Sequence, residues 1–394
     1  MPAPAMPPDP LASWRREFPI VDTCTYLVSH SLGAMPRRAE RYVQEFAATW
    51  SGRGVRAWSE GWWELGHTVG DLLATVIGAP PGSISMHQNV TVAQGIIGSC
   101  FTYTGARRKI VLTELEFPSN IYLFEGFRRY GADVVVVPCE DRIRGDVERL
   151  LDAIDDRTVL VVLSLVLFRS SAIQQAEAVI DKAHRVGAHV VLDVYQAAGV
   201  IPVDVQELGT DFAVGGSVKW LCGGPGAGYL YVRPDLAPRL EPAFVGWAAH
   251  AEPFAFEAGA IRYAAAPERF QSGTPNVPAL YSARAGYEIV AQIGVPAIRD
   301  KSLRLTRRMI ERAREAGFRL NTPEEDAERA GAVIVDVPDP GAAAAELIRR
   351  EVIVDFRPGA GVRMAPHFYN TDEEVDHAMA TLASIAAEEA RGRR

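Results

Sequence analysis

Residues 189–232 read HVVLDVYQAAGVIPVDVQELGTDFAVGGSVKWLCGGPGAGYLYV, and the rest of the chain is read outward from this stretch. An apolar run, His189 to Leu192, ends in Asp193. A second run, Phe212 to Val214, leads into Gly215, Gly216, Ser217, Val218 and Lys219. A glycine-rich turn and a third apolar run, Tyr229 to Val232, follow. Short β-branched runs bounded by glycines read as buried strands. An acidic residue at a strand's carboxyl end stands where open α/β sheets bind ligands. Lys219 lies among small residues, so its amine can enter a cavity rather than solvent.

An aspartate and a lysine so placed suit pyridoxal 5'-phosphate (PLP) chemistry. The lysine amine forms a Schiff base with the cofactor aldehyde. The carboxylate keeps the pyridine nitrogen protonated, which makes the ring an electron sink. Taken alone, the same residues also fit a surface lysine after a loop and a helix-capping aspartate. Two steps narrow the choice: Asp193-x-x-Gln196 and Ser217-Val218-Lys219-Trp220. Together they resemble fold type I PLP enzymes of the class V aminotransferase group, and within it the kynureninases and their relatives. The resemblance runs from about residue 20 to the C-terminus. It implies that Lys219 and Asp193 are catalytic, that Gln196 hydrogen-bonds the ring oxygen, and that Ser217 adjoins the cofactor.

The chain has 394 residues, 48% hydrophobic and 23% charged, ordinary globular values with ample length for a core. The net charge of −8 and the lack of a basic stripe speak against a nucleic-acid partner. Four cysteines, Cys24, Cys100, Cys139 and Cys222, show no metal spacing, so no metal site is expected. They suit a reduced, cytoplasmic protein. The longest apolar run, around Val159 to Phe168, is too short to span a bilayer. The Pro-rich start, MPAPAMPPDP, reads as a flexible tail.

From Lys109 onward strands and helices alternate: strand Lys109 to Thr113, helix Pro118 to Tyr130, strand Val134 to Val137, helix Asp146 to Ile154, strand Val159 to Leu163, helix Ile173 to Val186. This pattern predicts a mostly parallel sheet covered by helices. Upstream, Ser85 to Thr91 opens a helix, and a helix N-terminus favours phosphate. Thr91 suits N-cap or phosphate contact equally well. After Pro234, the pattern predicts helices Val277 to Ile293 and Pro296 to Ala316, the second with a solvated basic face. A small α+β region with strands Val333 to Val337, Val352 to Asp355 and Gly361 to Met364 follows. The expected division is a tail and first helix at 1–20, a large PLP-binding domain at 21–240 with its N-terminal segment contributing to the small domain, and an interface segment with the small domain at 241–394. The fold class is therefore α/β.

The resemblance adds further roles. Val90 (through its backbone) and Thr91 would hold the cofactor phosphate. Phe117, in Glu116-Phe117-Pro118-Ser119-Asn120, would stack on the pyridine ring; Asn120 stands where kynureninases carry aspartate. Trp247 resembles their phosphate-reaching tryptophan, and Thr274, in Gly273-Thr274-Pro275, the cross-subunit threonine of cysteine desulfurases and epimerases. Both imply a homodimer with shared active sites. Arg363, in Gly361-Val362-Arg363-Met364-Ala365-Pro366, would clamp the substrate α-carboxylate, a task that suits a guanidinium fork. His367 and Tyr369 could line the same pocket. His30 and Ser31, in His30-Ser31-Leu32-Gly33, lie where kynureninases have Asn-Ser-Leu-Gly, near the substrate. Val218 replaces the kynureninase tyrosine before the lysine.

The expectation is a PLP-dependent lyase or hydrolase cleaving an amino acid at the β-carbon. The alternatives are a C–S β-lyase on a cysteine S-conjugate, a class V aminotransferase or epimerase, and a binding protein that keeps the fold without catalysis.

Overall fold

The computed structural model describes residues 9–392. Among the described residues thirteen strands form three sheets. The central sheet contains β2 (Ile84–His87), β3 (Lys109–Thr113), β4 (Asp133–Val137), β5 (Thr158–Ser164), β6 (His189–Asp193), β7 (Phe212–Gly216) and β8 (Gly228–Val232) in the order 2-8-7-6-5-3-4. Neighbours are parallel except at β8, which runs antiparallel to both β7 and β2. Most of its strand residues are buried, because helices cover both faces. Two apolar cores lie against it, one built on Val190, Leu192 and Ala213, the other on Val191, Phe212 and Val214. Consecutive residues thus face opposite cores, as strand geometry requires.

The helices are α1 (Arg37–Arg53), α2 (Trp63–Ile77), α3 (Val90–Gly98), α4 (Pro118–Gly126), α5 (Val147–Ala153), α6 (Ala176–Arg185), α7 (Val277–Ile293), α8 (Val295–Glu315), α9 (Pro340–Arg349) and α10 (Asp372–Gly392). A four-stranded antiparallel sheet pairs β12 (Asp355–Arg357), β13 (Gly361–Met364), β10 (Val333–Asp336) and β9 (Arg319–Leu320) in that order. Its apolar face shares a third core with α8, α9 and α10 and takes in Leu27 from near the N-terminus. There β1 (Thr25–Tyr26) pairs with β11 (Val352–Ile353).

Three expectations are corrected. The run Val352 to Asp355 is two strands in two sheets, broken at Val354, because β11 pairs with the N-terminal strand while β12 pairs with β13. The helix expected from Ile173 starts at Ala176, since Ile173 bridges Val166. The basic face of α8 is not merely solvated: Arg308 and Arg312 pair with Asp376 of α10, Arg304 with Asp372, and Arg307 with Asp326.

Candidate active site

Strand ends place the central groups. Asp193 ends β6, and Lys219 follows β7, the adjacent parallel strand. Asp193 is buried; its Oδ1 accepts from the Tyr195 N–H at 2.9 Å and its Oδ2 from Asn120 Nδ2 at 3.1 Å. Burial raises its pKa, opposed by those two bonds and by the Lys219 charge. Burial brings the amine of the half-buried residue Lys219 down to about 8; Asp193 opposes this, while Arg363 and Arg357 add to it. A lysine with that pKa exchanges protons near neutral pH.

Two aromatic rings flank the amine. Lys219 Nζ lies 4.2 Å from the Tyr195 ring centroid and 5.6 Å from that of Phe117. Phe117 is 44% exposed, unusual for a large aromatic side chain at the carboxyl edge of a sheet, and its ring meets Phe168 edge-on at 5.1 Å. Phe117 is the aromatic that the resemblance expects here, whereas Tyr195 carries no motif and shows its place only in three dimensions.

Beneath the lysine the chain approaches itself closely. Gly33 N–H donates to the Val218 carbonyl at 2.7 Å, and a Cβ on Gly33 would lie 2.1 Å from the Lys219 carbonyl oxygen. The Ser31-Leu32-Gly33 turn is therefore a floor for the lysine loop. Its neighbour His30 is buried; its Nε2 pairs with Asp355 Oδ1 at 3.1 Å, and its Nδ1 has no partner. Burial and the Arg363 charge hold His30 neutral, at about 4, against the pull of Asp355. Ser31 is half-buried beside it.

Arg363 sits on β13 with its guanidinium buried. Nε and Nη2 donate to Asp355 at 2.8 and 2.6 Å, and Nη1 donates to the Phe168 carbonyl at 2.6 Å. Three of the five N–H groups are engaged, leaving one on each terminal nitrogen for a second carboxylate. Burial would raise the Asp355 pKa, but bonds from His30 and Arg363 outweigh it and hold the carboxyl well below the usual range. Arg357 adds a second guanidinium 3.1 Å from Asp355. Asp355 was missed because, in sequence, it read only as the end of a strand.

At the phosphate turn, Asn89 rather than Thr91 caps α3: its side chain accepts from the Val92 N–H at 3.0 Å. The Val90 and Thr91 N–H groups lie in the first turn, where no helical acceptor exists. Thr91 is exposed, so its hydroxyl is open to a ligand. A Cβ on Gly228 would lie 2.7 Å from the Asn89 backbone, so glycine lets this turn sit against β8. Gly228 pairs with Gly216, three residues before Lys219. An anion site, an aspartate, a proton-exchanging lysine and a half-exposed aromatic face thus converge, and this set fits PLP.

Other expected residues are engaged differently. Gln196 donates to the His30 carbonyl at 3.0 Å and accepts from Trp220 Nε1 at 3.1 Å, which leaves one Nε2–H for a ring oxygen. Ser217 is turned into the fold: its hydroxyl donates to the Ala227 carbonyl at 2.7 Å and pairs with the Tyr287 hydroxyl at 2.7 Å. It holds the turn instead of facing a cofactor. His367 and Tyr369 are fully buried, bonded to the Trp220 carbonyl at 2.7 Å and to Ser29 at 2.6 Å, so they are packing behind the site rather than pocket lining. Trp247 meets Trp63 edge-on at 5.7 Å in a cleft of about 290 Å³ whose walls include His87 and Phe254 but not Lys219. Thr274 is exposed. Among the described residues no His, Cys, Asp and Glu cluster has metal-binding geometry, and no helix is long and apolar enough to cross a membrane.

The aminotransferase class-V family matches residues 25–377. The uncharacterized aminotransferase YcbU of Bacillus subtilis is 31% identical over 372 residues, covering 94% of this chain and 97% of that protein. A kynureninase of Pseudomonas fluorescens is 32% identical over 392 residues, covering 96% and 92%. Among solved structures, the apo cysteine desulfurase of Thermococcus onnurineus superposes with a TM-score of 0.84 at 23% identity, covering 95% of this chain and 97% of that one. The cystine C–S lyase C-DES, in complex with its product cysteine persulfide, gives 0.82 at 20%, covering 93% and 99%. At those identities the two structures speak for the fold alone.

Proposed function

The chain belongs to the class-V aminotransferase family, has the fold type I architecture and is a PLP-dependent enzyme; from that premise we propose that it cleaves an amino acid at the β-carbon, as kynureninases do. The observation that carries the reading is the Arg363 fork, aimed by Asp355 and left with two N–H groups for a substrate carboxylate.

Val90 and Thr91 would hold the phosphate, Phe117 and Tyr195 the two faces of the ring, Asp193 the ring nitrogen and Gln196 the ring oxygen. Bound there, PLP supplies an electron sink for negative charge at the substrate's α-carbon. Lys219 anchors the cofactor and moves the α-proton at Nζ. Arg363 fixes the α-carboxylate, His30 and Ser31 contact the substrate, and Phe117 with Phe168 shields the reacting bonds from water. Kynureninase relatives spanning nearly the whole chain support hydrolytic cleavage between the β- and γ-carbons.

Cysteine desulfuration fits less well. The last cysteine, Cys222, is 2% exposed, and burial pushes its thiol pKa far up, so it is a poor nucleophile. C–S β-elimination from a cysteine conjugate needs no such thiol and is the second reading. A homodimer completes the site in this proposal, with Trp247 and Thr274 reaching the partner's phosphate. The exposed Phe254 and Phe256 beside Trp247 suit a covered face. A PLP-replete enzyme that is fully active as a monomer in sedimentation would contradict it.

The deciding experiment incubates the PLP-loaded enzyme with kynurenine and, separately, with a cysteine S-conjugate. Alanine plus anthranilate is the expected outcome. Pyruvate, ammonia and thiol from the conjugate would favour the second reading, and stoichiometric amino transfer to a keto acid with no cleavage would overturn both.

A further inference from the structure

A second buried carboxylate stands behind Asp193. Glu116, between β3 and α4, is 2% exposed. Its Oε1 accepts from the Ser164 N–H at 2.8 Å, and its Oε2 from the Ser164 hydroxyl at 2.5 Å and from Asn120 Nδ2 at 3.0 Å. The same Asn120 nitrogen donates its other proton to Asp193 Oδ2 at 3.1 Å. One carboxamide thus ties two buried carboxylates together, and all of it is withdrawn from solvent. An isolated buried ion is costly, so such an arrangement persists only if each oxygen is bonded.

We propose that Glu116 is a positioning residue that acts on Asp193 through Asn120, fixing the orientation of the catalytic aspartate and adjusting its negative charge. The inference deepens the PLP reading and rests on it. An amide nitrogen has two protons at a fixed angle, so Asn120 holds both acceptors at once; an aspartate at this position could not. Burial raises the Glu116 pKa to about 7, opposed by the bonds from Ser164 and Asn120 and reinforced by Asp193. The relay therefore changes charge near neutral pH. The other titratable groups facing Asp193 are Lys219, Tyr195 and Tyr229, and Lys219 also faces Arg363, Arg357 and Asp355. Burial lifts Tyr195 to about 12 and Tyr229 higher, so neither titrates with Glu116.

The test reads the pH midpoint of the bound cofactor's visible absorbance band in substrate-free enzyme, together with PLP affinity, neither of which requires turnover. Glu116→Gln removes a negative charge, so the cationic form of the Lys219–cofactor linkage loses support. The midpoint should fall by about half a pH unit or more. PLP affinity should drop with it. Ser164→Ala leaves Glu116 in place but weakens its ionised form, so it should move the midpoint the same way by less. In an Asn120→Ala background the Glu116→Gln effect should shrink. An unchanged midpoint in a Glu116→Gln enzyme that still binds PLP would overturn the relay, as would an undiminished effect without Asn120. If Glu116→Gln does not fold, an unchanged midpoint in Ser164→Ala is decisive in the same sense. A wild-type chain with no cofactor band under saturating PLP would instead sink the cofactor assignment itself.

Discussion

Replacing Arg363 tests the substrate assignment, provided that damage to binding is separated from damage to the fold. Arg363 is 2% exposed and bidentate with Asp355 at 2.8 and 2.6 Å. Arg363→Ala leaves the Asp355 carboxylate with His30 and Arg357, each at 3.1 Å, as its remaining partners. Breaking a buried pair from one side costs about 3–5 kcal/mol. Because Arg357 stays in place, we expect the lower end, about 3 kcal/mol in urea unfolding of the cofactor-free protein. Arg363→Ala with Asp355→Ala removes the stranded charge and should recover a good part of that stability. Binding should not recover. Losing a buried partner for the substrate carboxylate costs about 2–5 kcal/mol, or from roughly 30-fold to several thousand-fold in Kd. The assay is a difference-absorbance titration of the PLP-loaded variants with the amino-acid substrate. An unchanged Kd in the single variant refutes the assignment. Restored binding in the double variant would show that Arg363 serves Asp355 alone.

Lys219→Ala should abolish turnover and the covalent cofactor absorbance while leaving the fold intact; retention of both would move the anchor to another lysine. Gly33→Ala places a Cβ 2.1 Å from the Lys219 carbonyl oxygen, which backbone atoms cannot easily relieve. It should destabilise the protein by about 2 kcal/mol or more and lower PLP affinity, and a wild-type melting temperature would refute the close approach. Burial holds His30 and His87 neutral at about 4 and His367 at about 3, against about 6.5 unfolded. Their stabilisation is therefore present above about pH 6.5 and lost as pH falls toward 4, by roughly 1.4 kcal/mol per pH unit per group at most. Glu116 works oppositely, its contribution fading as pH rises through about 7, and Asp193 and His67, also raised, act in the same sense, but the three strongly depressed imidazoles outweigh them. The urea midpoint of the cofactor-free protein should thus fall between pH 7 and pH 5, and a rise would contradict the burial of these imidazoles.

Local pattern was enough for the central sheet. Apolar runs of five or so residues located β3 to β8, because a strand covered by helices on both faces has to be largely apolar. The same runs placed Asp193 and Lys219 at strand ends, and motif resemblance picked out Phe117 and Arg363. What resisted was everything set by pairing between distant segments. Whether Val352 to Asp355 is one strand or two depends on a partner more than three hundred residues away. Ser217 and Gln196 could be placed near Lys219, but a side chain's direction follows from its hydrogen-bond partners, and those lie on Ala227, Tyr287, Trp220 and the His30 carbonyl. Asp355, read only as the end of a strand, carries no motif signal, and neither does Tyr195 or Glu116. Their importance is a matter of burial next to another charge, and burial of that kind exists only once the two sheets and the N-terminal turn have closed around the site.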